Sequence, residues 1–165
     1  MTYAMNIAFP SKRHDHCTCG NDALAVAERY CKEHGLRLTQ IRRRVLELIW
    51  QDHKPVGAYA LMELLNLNGR KAAPPTVYRA LDFLLEHGLI HRVASRNAFI
   101  GCIHPGSPHN PQFFICRHCG HAAELVDTQV HAAIARDADR MNFRISQETV
   151  EIGGVCAGCR AGAVV

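Results

Sequence analysis

Four cysteines arranged in two pairs constrain this chain more than any other feature of its sequence. They are Cys116, Cys119, Cys156 and Cys159, with two residues between the members of each pair. This spacing lets one turn present both thiolates to a single ion, and two such turns complete the tetrahedron that structural zinc prefers. We therefore predict one four-cysteine zinc site, closed by a strand, helix and strand between the pairs. The alternative is four free thiols.

Composition and the lack of an export signal favour metal binding by the paired cysteines over disulfide bonds between them. The chain has 165 residues, of which 48% are hydrophobic and 21% are charged, enough for one ordinary domain or two small ones. The opening residues MTYAMNIAFP lack a basic start followed by an apolar run, and no apolar stretch is long enough to span a membrane. We expect a cytoplasmic protein without a membrane partner, where paired cysteines more often bind metal.

Helical patterns dominate the first hundred residues. Residues 1–20 show no periodicity and are interpreted as a flexible N-terminal arm. Beyond them, Asn21 and Thr39 are predicted to cap two helices, and a third is predicted over residues 58–66. The stretch PPTVYRALDFLLEHG, residues 74–88, begins with proline and ends with glycine, which predicts a fourth helix.

A hairpin and a break in pattern follow these helices. Two β-rich runs flank the turn residues 95–97, and the combination of helices and hairpin predicts a winged helix-turn-helix over residues 21–101. The segment HPGSPHNP holds three of the seven prolines, so residues 102–111 are interpreted as a hinge. Residues 112–165 are then predicted to form a second, small α/β domain, which makes the fold class α+β.

After the proline-rich segment the helical spacing of apolar residues gives way to strand-like runs, and this change predicts the second domain. QFFIC, HAAELV and FRISQETVEIGGVC are predicted strands, and a helix capped by Asp127 lies between the last two. The side chains predicted to face inward from that helix are Val130, Ala133, Ile134, Ala138 and Met141. Cys31, on the inner face of the first helix, is predicted to lie in the core of the first domain.

The outer face of the fourth helix predicts DNA binding. It carries Thr76, Tyr78 and Arg79, and an arginine one turn into a helix is well placed to reach a guanine in the major groove. The net charge of +4 is mild, but basic residues concentrate in the first hundred positions, where phosphate contacts would be needed. These residues are Lys12, Arg13, Arg37, Arg42, Arg43, Arg44, Arg70, Lys71, Arg79, Arg92 and Arg96. A solvated basic face is the alternative.

In LTQIRRRVLELI, PPTVYRALDFLLEHGLIHRV, FFICRHCG and CAGC, the chain resembles the Fur family of metal-dependent repressors, and within it the zinc-uptake regulators (Zur). The resemblance covers residues 21–160. It implies a zinc-dependent repressor of zinc-uptake genes that binds palindromic operators on double-stranded DNA as a homodimer. It also implies that residues 112–165 are the dimerisation and metal-binding domain. It also implies that Tyr59 and Arg79 read bases, with Arg42 a further candidate contact. Gln40 stands where the family usually has proline.

The resemblance further implies a second, regulatory zinc ion held by His91, Cys102, His109 and Glu124, giving two zinc ions per chain. These residues come from the wing, the hinge and the second domain, so one ion contacting all four would clamp the domains together. Each also has an ordinary explanation: a small buried cysteine, exposed histidines, a surface carboxylate. Because thiolate, imidazole and carboxylate together suit a tetrahedral ion, Cys102 favours zinc over iron or manganese.

Other metal-binding side chains stay outside both predicted sites. His104 is a neighbour, a substitute ligand or part of a weak third site, and His118 is expected to be exposed. The motif HDHCTC contains His14, His16, Cys17 and Cys19, which we interpret as a solvated arm because binding would require ordering it. A zinc hydrolase is disfavoured, since both sites have four protein ligands and HExxH and HxE motifs are absent, so we expect neither catalysis nor a small-molecule substrate. A zinc-stabilised module that binds no DNA is the other alternative.

Overall fold

Four helices and a hairpin form the first half of the chain. The computed structural model describes residues 16–67 and 72–162, together with Phe9. The helices are α1 (His16–Glu33), α2 (Gln40–Trp50), α3 (Ala58–Leu67) and α4 (Pro74–Glu86). The strands of the hairpin are β1 (Ile90–Val93) and β2 (Ala98–Gly101), joined by a single 3-10 turn over Ala94–Arg96.

Local sequence signals set most helix ends. The Thr39 hydroxyl accepts a hydrogen bond from the Arg42 N–H at 3.5 Å at the start of α2. Gly35 and Gly88, with φ of +65° and +61°, follow α1 and α4 in the left-handed region that glycine adopts easily. The predicted start of the first helix at Asn21 is wrong, because α1 begins at His16. Once a first turn exists, each added residue gains a hydrogen bond, so the helix extends past a possible cap.

A single apolar core joins the four helices to the hairpin. Val45, Leu61 and Val77 are fully buried within it, and Cys31 is 2% exposed, which confirms its predicted place in the core. In the part of the chain that the structure describes, no helix has both the length and the apolar character that a membrane crossing requires.

Three strands and two helices form the second half. They are β3 (Gln112–Cys116), β4 (Ala122–Leu125), α5 (Thr128–Arg140), β5 (Val150–Gly154) and α6 (Ala157–Ala161). Strand β3 lies in the centre, antiparallel to β4 and parallel to β5. The Asp127 carboxylate accepts the Gln129 N–H at 2.8 Å, which confirms the predicted cap of α5. The α+β fold class is also confirmed.

Two predictions for this half are wrong. The last strand is shorter than residues 143–156, because the five residues of β3 are fully paired from Gln112–Val150 to Cys116–Gly154. Met141 was predicted to face inward, but its side chain is 70% exposed. Met141 is the C-cap residue of α5, where the chain leaves the helix.

A second, smaller apolar cluster joins the hairpin to the three-stranded sheet. It contains Val93 and Ile100 from the hairpin and Phe113, Ile115 and Ala122 from the sheet. The loop after α2 reaches the same sheet, since the Ala122 N–H donates to the His53 carbonyl at 2.8 Å. These contacts bring the hairpin and the sheet face to face, and the second group of candidate ligands lies between them.

Candidate metal centres and nucleic-acid interface

The two cysteine pairs come together at one end of the sheet. The pairing of Cys116 with Gly154 across β3 and β5 sets the first pair beside the second, which opens at the N-cap of α6. The sulfur atoms of the four cysteines all lie within 4.8 Å of one another. The Cys119 and Cys156 sulfurs are 3.8 Å apart. With Zn–S bonds of about 2.3 Å, the edge of a ZnS₄ tetrahedron is about 3.8 Å, so this separation fits a shared ion.

Hydrogen bonds to sulfur make this cluster electrostatically uneven. The Cys156 N–H donates to the Cys116 sulfur at 3.4 Å, and this bond, followed by one from Cys119, lowers the pKa of Cys116 to about 5. The hydrogen bond with Cys156 and then burial raise the pKa of Cys159 to about 12. Four sulfurs this close cannot all be thiolates without a positive charge between them, which is what a thiophilic cation supplies. The donor set therefore fits zinc better than four free thiols.

The second group of candidate ligands lies between the hairpin and the sheet. His91 is in β1, Cys102 follows β2, His109 is in the predicted hinge and Glu124 is in β4. Their donor atoms also lie within 4.8 Å of one another. The separations are 3.5 Å for Cys102 Sγ to His109 Nε2, 3.2 Å for His91 Nε2 to His109 Nε2, 3.3 Å for His91 Nε2 to Glu124 Oε1 and 2.9 Å for His109 Nε2 to Glu124 Oε1. Ligand bonds of about 2.0–2.3 Å give tetrahedral edges of about 3.3–3.6 Å, close to most of these distances.

Protons alone do not account for this geometry. The Nδ1 atom of His109 lies 2.6 Å from the Ser107 carbonyl, an acceptor, so Nδ1 carries a proton and a neutral ring has a bare lone pair on Nε2. That one atom faces an imidazole nitrogen, a thiol and a carboxylate oxygen at 2.9–3.5 Å. One nitrogen cannot make three hydrogen bonds with one lone pair, whereas a cation at the common centre would bind all four donors. The Ser107 contact would also fix the ring orientation for such a role.

Burial strengthens the case for a cation at this site. Cys102 is 2% exposed and Glu124 is 6% exposed. Burial, and then the charge of Glu124, raises the pKa of Cys102. Burial acts to raise the pKa of Glu124 as well, but hydrogen bonds from His91 and the Ile103 N–H outweigh it, and the pKa is lowered. The carboxylate of Glu124 therefore stays ionised, and its charge opposes ionisation of the neighbouring Cys102 thiol unless a cation lies between them.

The remaining metal-binding side chains lie outside both groups. His104 donates its main-chain N–H to the Cys102 sulfur at 3.3 Å, but its ring lies 5.9 Å from that of His109, between centroids. His118 is exposed. His14 and the side chains of His16, Cys17 and Cys19 are outside the described part of the chain. Within the described residues, no further group of three or more such side chains comes together.

Four of the predicted DNA contacts are exposed residues of α3 and α4 in the first domain. Tyr59 at the start of α3 is 78% exposed, and Tyr78 on α4 is 44% exposed. Thr76 and Arg79, in the first two turns of α4, are also exposed. Their exposure fits contact with a nucleic acid, and their role stays a prediction.

The basic face of α2 is largely occupied by contacts within the chain. The guanidinium of Arg42 lies 3.6 Å from the centre of the Phe83 ring and donates to the Arg37 carbonyl at 2.6 Å. Arg43 pairs with Glu28 and Glu47, and Arg44 also pairs with Glu47. These carboxylates reduce the charge available to phosphates, which sequence alone could not indicate. Lys12, Arg13, Arg70 and Lys71 are outside the described residues.

The groups that support the second site could not be found from the sequence. The Ser107 carbonyl orients His109, and the Ile103 N–H holds the second oxygen of Glu124 at 3.1 Å. Both are main-chain groups, so their residue types carry no signal. Both residues lie in the predicted hinge, next to the candidate ligands Cys102 and His109.

The fold and the two clusters define a family that sequence comparison identifies independently. The profile of the Ferric uptake regulator family matches residues 33–153, and the chain belongs to this family. Zinc uptake regulation protein of Escherichia coli (strain K12) is 38% identical over 143 residues, which cover 86% of this chain and 84% of that protein. The resemblance to the Fur family and its zinc-uptake regulators is thus confirmed.

Solved structures are similar over most of the chain. A zinc uptake regulator complexed with zinc and DNA is 37% identical, with a TM-score of 0.83 over 88% of this chain and 98% of the other. Holo XcZur is 44% identical, with a TM-score of 0.79 over 86% of this chain and 99% of the other. Apo XcZur, at 43% identity over 86% and 97%, gives a TM-score of 0.51. The arrangement described here is therefore closer to that of the holo relative.

Proposed function

We propose that this chain is a zinc-responsive repressor that binds the operators of zinc-uptake genes. The observation that carries the proposal is the meeting of His91, Cys102, His109 and Glu124 between the hairpin and the sheet. The four-cysteine site would keep its zinc at all times and hold the second domain in shape. The second site would fill only when zinc is abundant, so each chain would bind two zinc ions.

The second site would act by joining the hairpin to the sheet. Zinc bound there would supply the positive charge that the thiolate and carboxylate need. His91 would bind the ion from β1. Glu124, whose second oxygen accepts the Ile103 N–H, would bind it from β4. His109, whose ring is oriented by the Ser107 carbonyl, would bind the ion from the hinge. The angle of the winged helix to the sheet would then depend on zinc, and zinc and DNA would each tighten the other's binding by the same factor.

The donor set supports zinc over other metals of the family. It contains one thiolate, two imidazoles and one carboxylate at separations that fit four-coordinate geometry. Iron and manganese sites favour oxygen and nitrogen ligands with higher coordination numbers. The buried Cys102 is therefore the ligand that separates a zinc sensor from an iron or manganese sensor.

Exposed apolar side chains support a homodimer formed through the second domain. They are Phe114, Met141, Phe143, Ile152 and Val155, which are 36–70% exposed. Strand β5 is also at an edge of its sheet, with main-chain groups free to pair within the described topology. A second copy of the chain would cover both features. Two α4 helices about 34 Å apart would then match a palindromic operator.

The proposal is tested by metal content and DNA binding together. We expect purified protein to contain two zinc ions per chain and to shift a duplex carrying a palindromic operator. A chelator should remove one ion and the shift together, and added zinc should restore both. An unchanged shift after loss of that ion would contradict the proposal. Restoration by iron or manganese at equal concentration would instead indicate a sensor of another metal.

Arg79→Ala tests the proposed recognition face. Arg79 is exposed in the second turn of α4, so its loss should weaken operator binding about tenfold to a hundredfold. Arg43→Ala removes the same charge from a guanidinium already paired with Glu28 and Glu47, and should change affinity only severalfold. Fluorescence anisotropy over a range of salt concentrations measures both variants. Equal effects from the two would argue against α4 as the reading helix.

A further inference from the structure

Three paired residues form a row across the three-stranded sheet. Phe113 in β3 pairs with Glu124 in β4 on one side and with Glu151 in β5 on the other. Directly paired residues on neighbouring strands point to the same face of a sheet. The row therefore presents a carboxylate, an aromatic ring and a second carboxylate toward the hairpin.

The hairpin lies along this row. His91 contacts Glu124 at one end, with Nε2 3.3 Å from Oε1, and its ring lies 5.5 Å from that of Phe113. Val93 joins Phe113 in the apolar cluster between hairpin and sheet. At the other end, the two oxygens of Glu151 accept hydrogen bonds from the main-chain N–H groups of Ala94, at 2.6 Å, and Ser95, at 3.1 Å.

The dimensions of strand and sheet explain why both carboxylates are reached. Two spacings between neighbouring strands separate the ends of the row by about 9.6 Å. Three residues of extended chain, from His91 to Ala94, span about 10 Å. A strand that crosses the sheet along the row thus meets one carboxylate at each end, and Phe113 fills the space between them.

The contact with Glu151 does not use any candidate metal ligand. It joins a side chain of the sheet to the main-chain N–H groups of the turn between β1 and β2, and the Ser95 side chain adds a further hydrogen bond. Burial acts to raise the pKa of Glu151, but the hydrogen bonds from Ser95 and Ala94 outweigh it and lower the pKa, so the carboxylate is ionised at neutral pH. Hydrogen bonds to an ionised acceptor are stronger than neutral ones.

We propose that Glu151 is a positioning residue that sets the angle of the wing hairpin on the sheet, so that filling the second metal site fixes the DNA-binding domain in one orientation. The inference rests on the proposed function and adds a second point of attachment to it. The His91 contact holds one end of the row and the apolar cluster packs its middle, but neither fixes the other end of the hairpin. A polar attachment about 10 Å from His91 restricts the swing of the hairpin about the His91 contact. Without Glu151, zinc would still bind but would be poorly coupled to DNA.

Glu151→Ala and Glu151→Gln test the inference in the full-length, zinc-loaded protein. Amide hydrogen exchange by NMR should be roughly tenfold to a hundredfold faster at Ala94 and Ser95 in Glu151→Ala than in the unmodified protein. Glu151→Gln, which keeps one acceptor without the charge, should lie between the two. Zinc content should stay at two per chain in both variants. The increase in operator affinity on adding zinc should fall roughly tenfold in Glu151→Ala.

Asp139→Asn is the matched control, because it removes one negative charge from an exposed site on α5 of the same domain. It should stay within about twofold of the unmodified protein in every measurement. Unchanged exchange at Ala94 and Ser95 in Glu151→Ala would overturn the contact. Faster exchange with a full zinc response would overturn the positioning role. An unmodified protein whose DNA binding ignores zinc would instead overturn the proposed function, and the positioning role with it.

Discussion

Cys119→Ser is expected to unfold the second domain and to abolish dimerisation and DNA binding. In the described part of this domain few apolar side chains are buried: Phe113, Ile115, Ala122 and Ala138. Such a core cannot hold three strands and two helices by itself. A structural zinc site contributes about 10–16 kcal/mol, comparable to the whole stability of a small domain, about 5–15 kcal/mol. A serine hydroxyl does not replace a thiolate, so most of that contribution would be lost.

Zinc content, far-UV circular dichroism and sedimentation measure this outcome. The variant should bind no zinc at the four-cysteine site, lose its sheet signal and sediment as a monomer. Cys31→Ala is the control, because Cys31 is a buried thiol of the helical core and belongs to neither cluster. It should keep both zinc ions and lose roughly 1 kcal/mol of stability. A Cys119→Ser protein that melts and sediments like the unmodified one would show that the cluster does not stabilise the fold.

The features that could be predicted from sequence are those set by local interactions. The caps at Thr39 and Asp127 depend on side chains that bond to main-chain groups two or three residues away. The four-cysteine cluster depends on the short spacing within each pair, which leaves little freedom in how two thiolates are presented. These signals involve residues that are close in the sequence, and the structure contains both caps and the cysteine cluster.

Features that depend on distant parts of the chain could not be predicted in this way. The pairing of Arg43 with Glu28 joins two helices across fifteen positions. The sequence therefore suggested more unpaired positive charge on α2 than the structure contains. The contact of Glu151 with Ala94 spans fifty-seven positions. The ligands of the second site come from the wing, the hinge and the second domain, so only resemblance to a family suggested that set. Their roles as ligands stay predictions.

Cys102→Ser is expected to leave a folded dimer that no longer responds to zinc. Serine differs from cysteine by one atom and fits the same space, so the buried position, 2% exposed, should stay filled. The hydroxyl is a poor zinc ligand, and only two imidazoles and a carboxylate would remain, which should weaken zinc binding at this site by at least about a hundredfold. The four-cysteine site shares no residue with it and should keep its ion.

His104→Ala is the control for this variant, because His104 is two residues away and belongs to neither group. Competition with a chromophoric chelator measures zinc affinity, and mobility shift with and without zinc measures the response. Because linkage is reciprocal, the factor lost in zinc-dependent DNA affinity must equal the factor lost in DNA-dependent zinc affinity. A zinc response that survives Cys102→Ser would show that the ligand set is wrong. Its loss in His104→Ala would show that the set is incomplete.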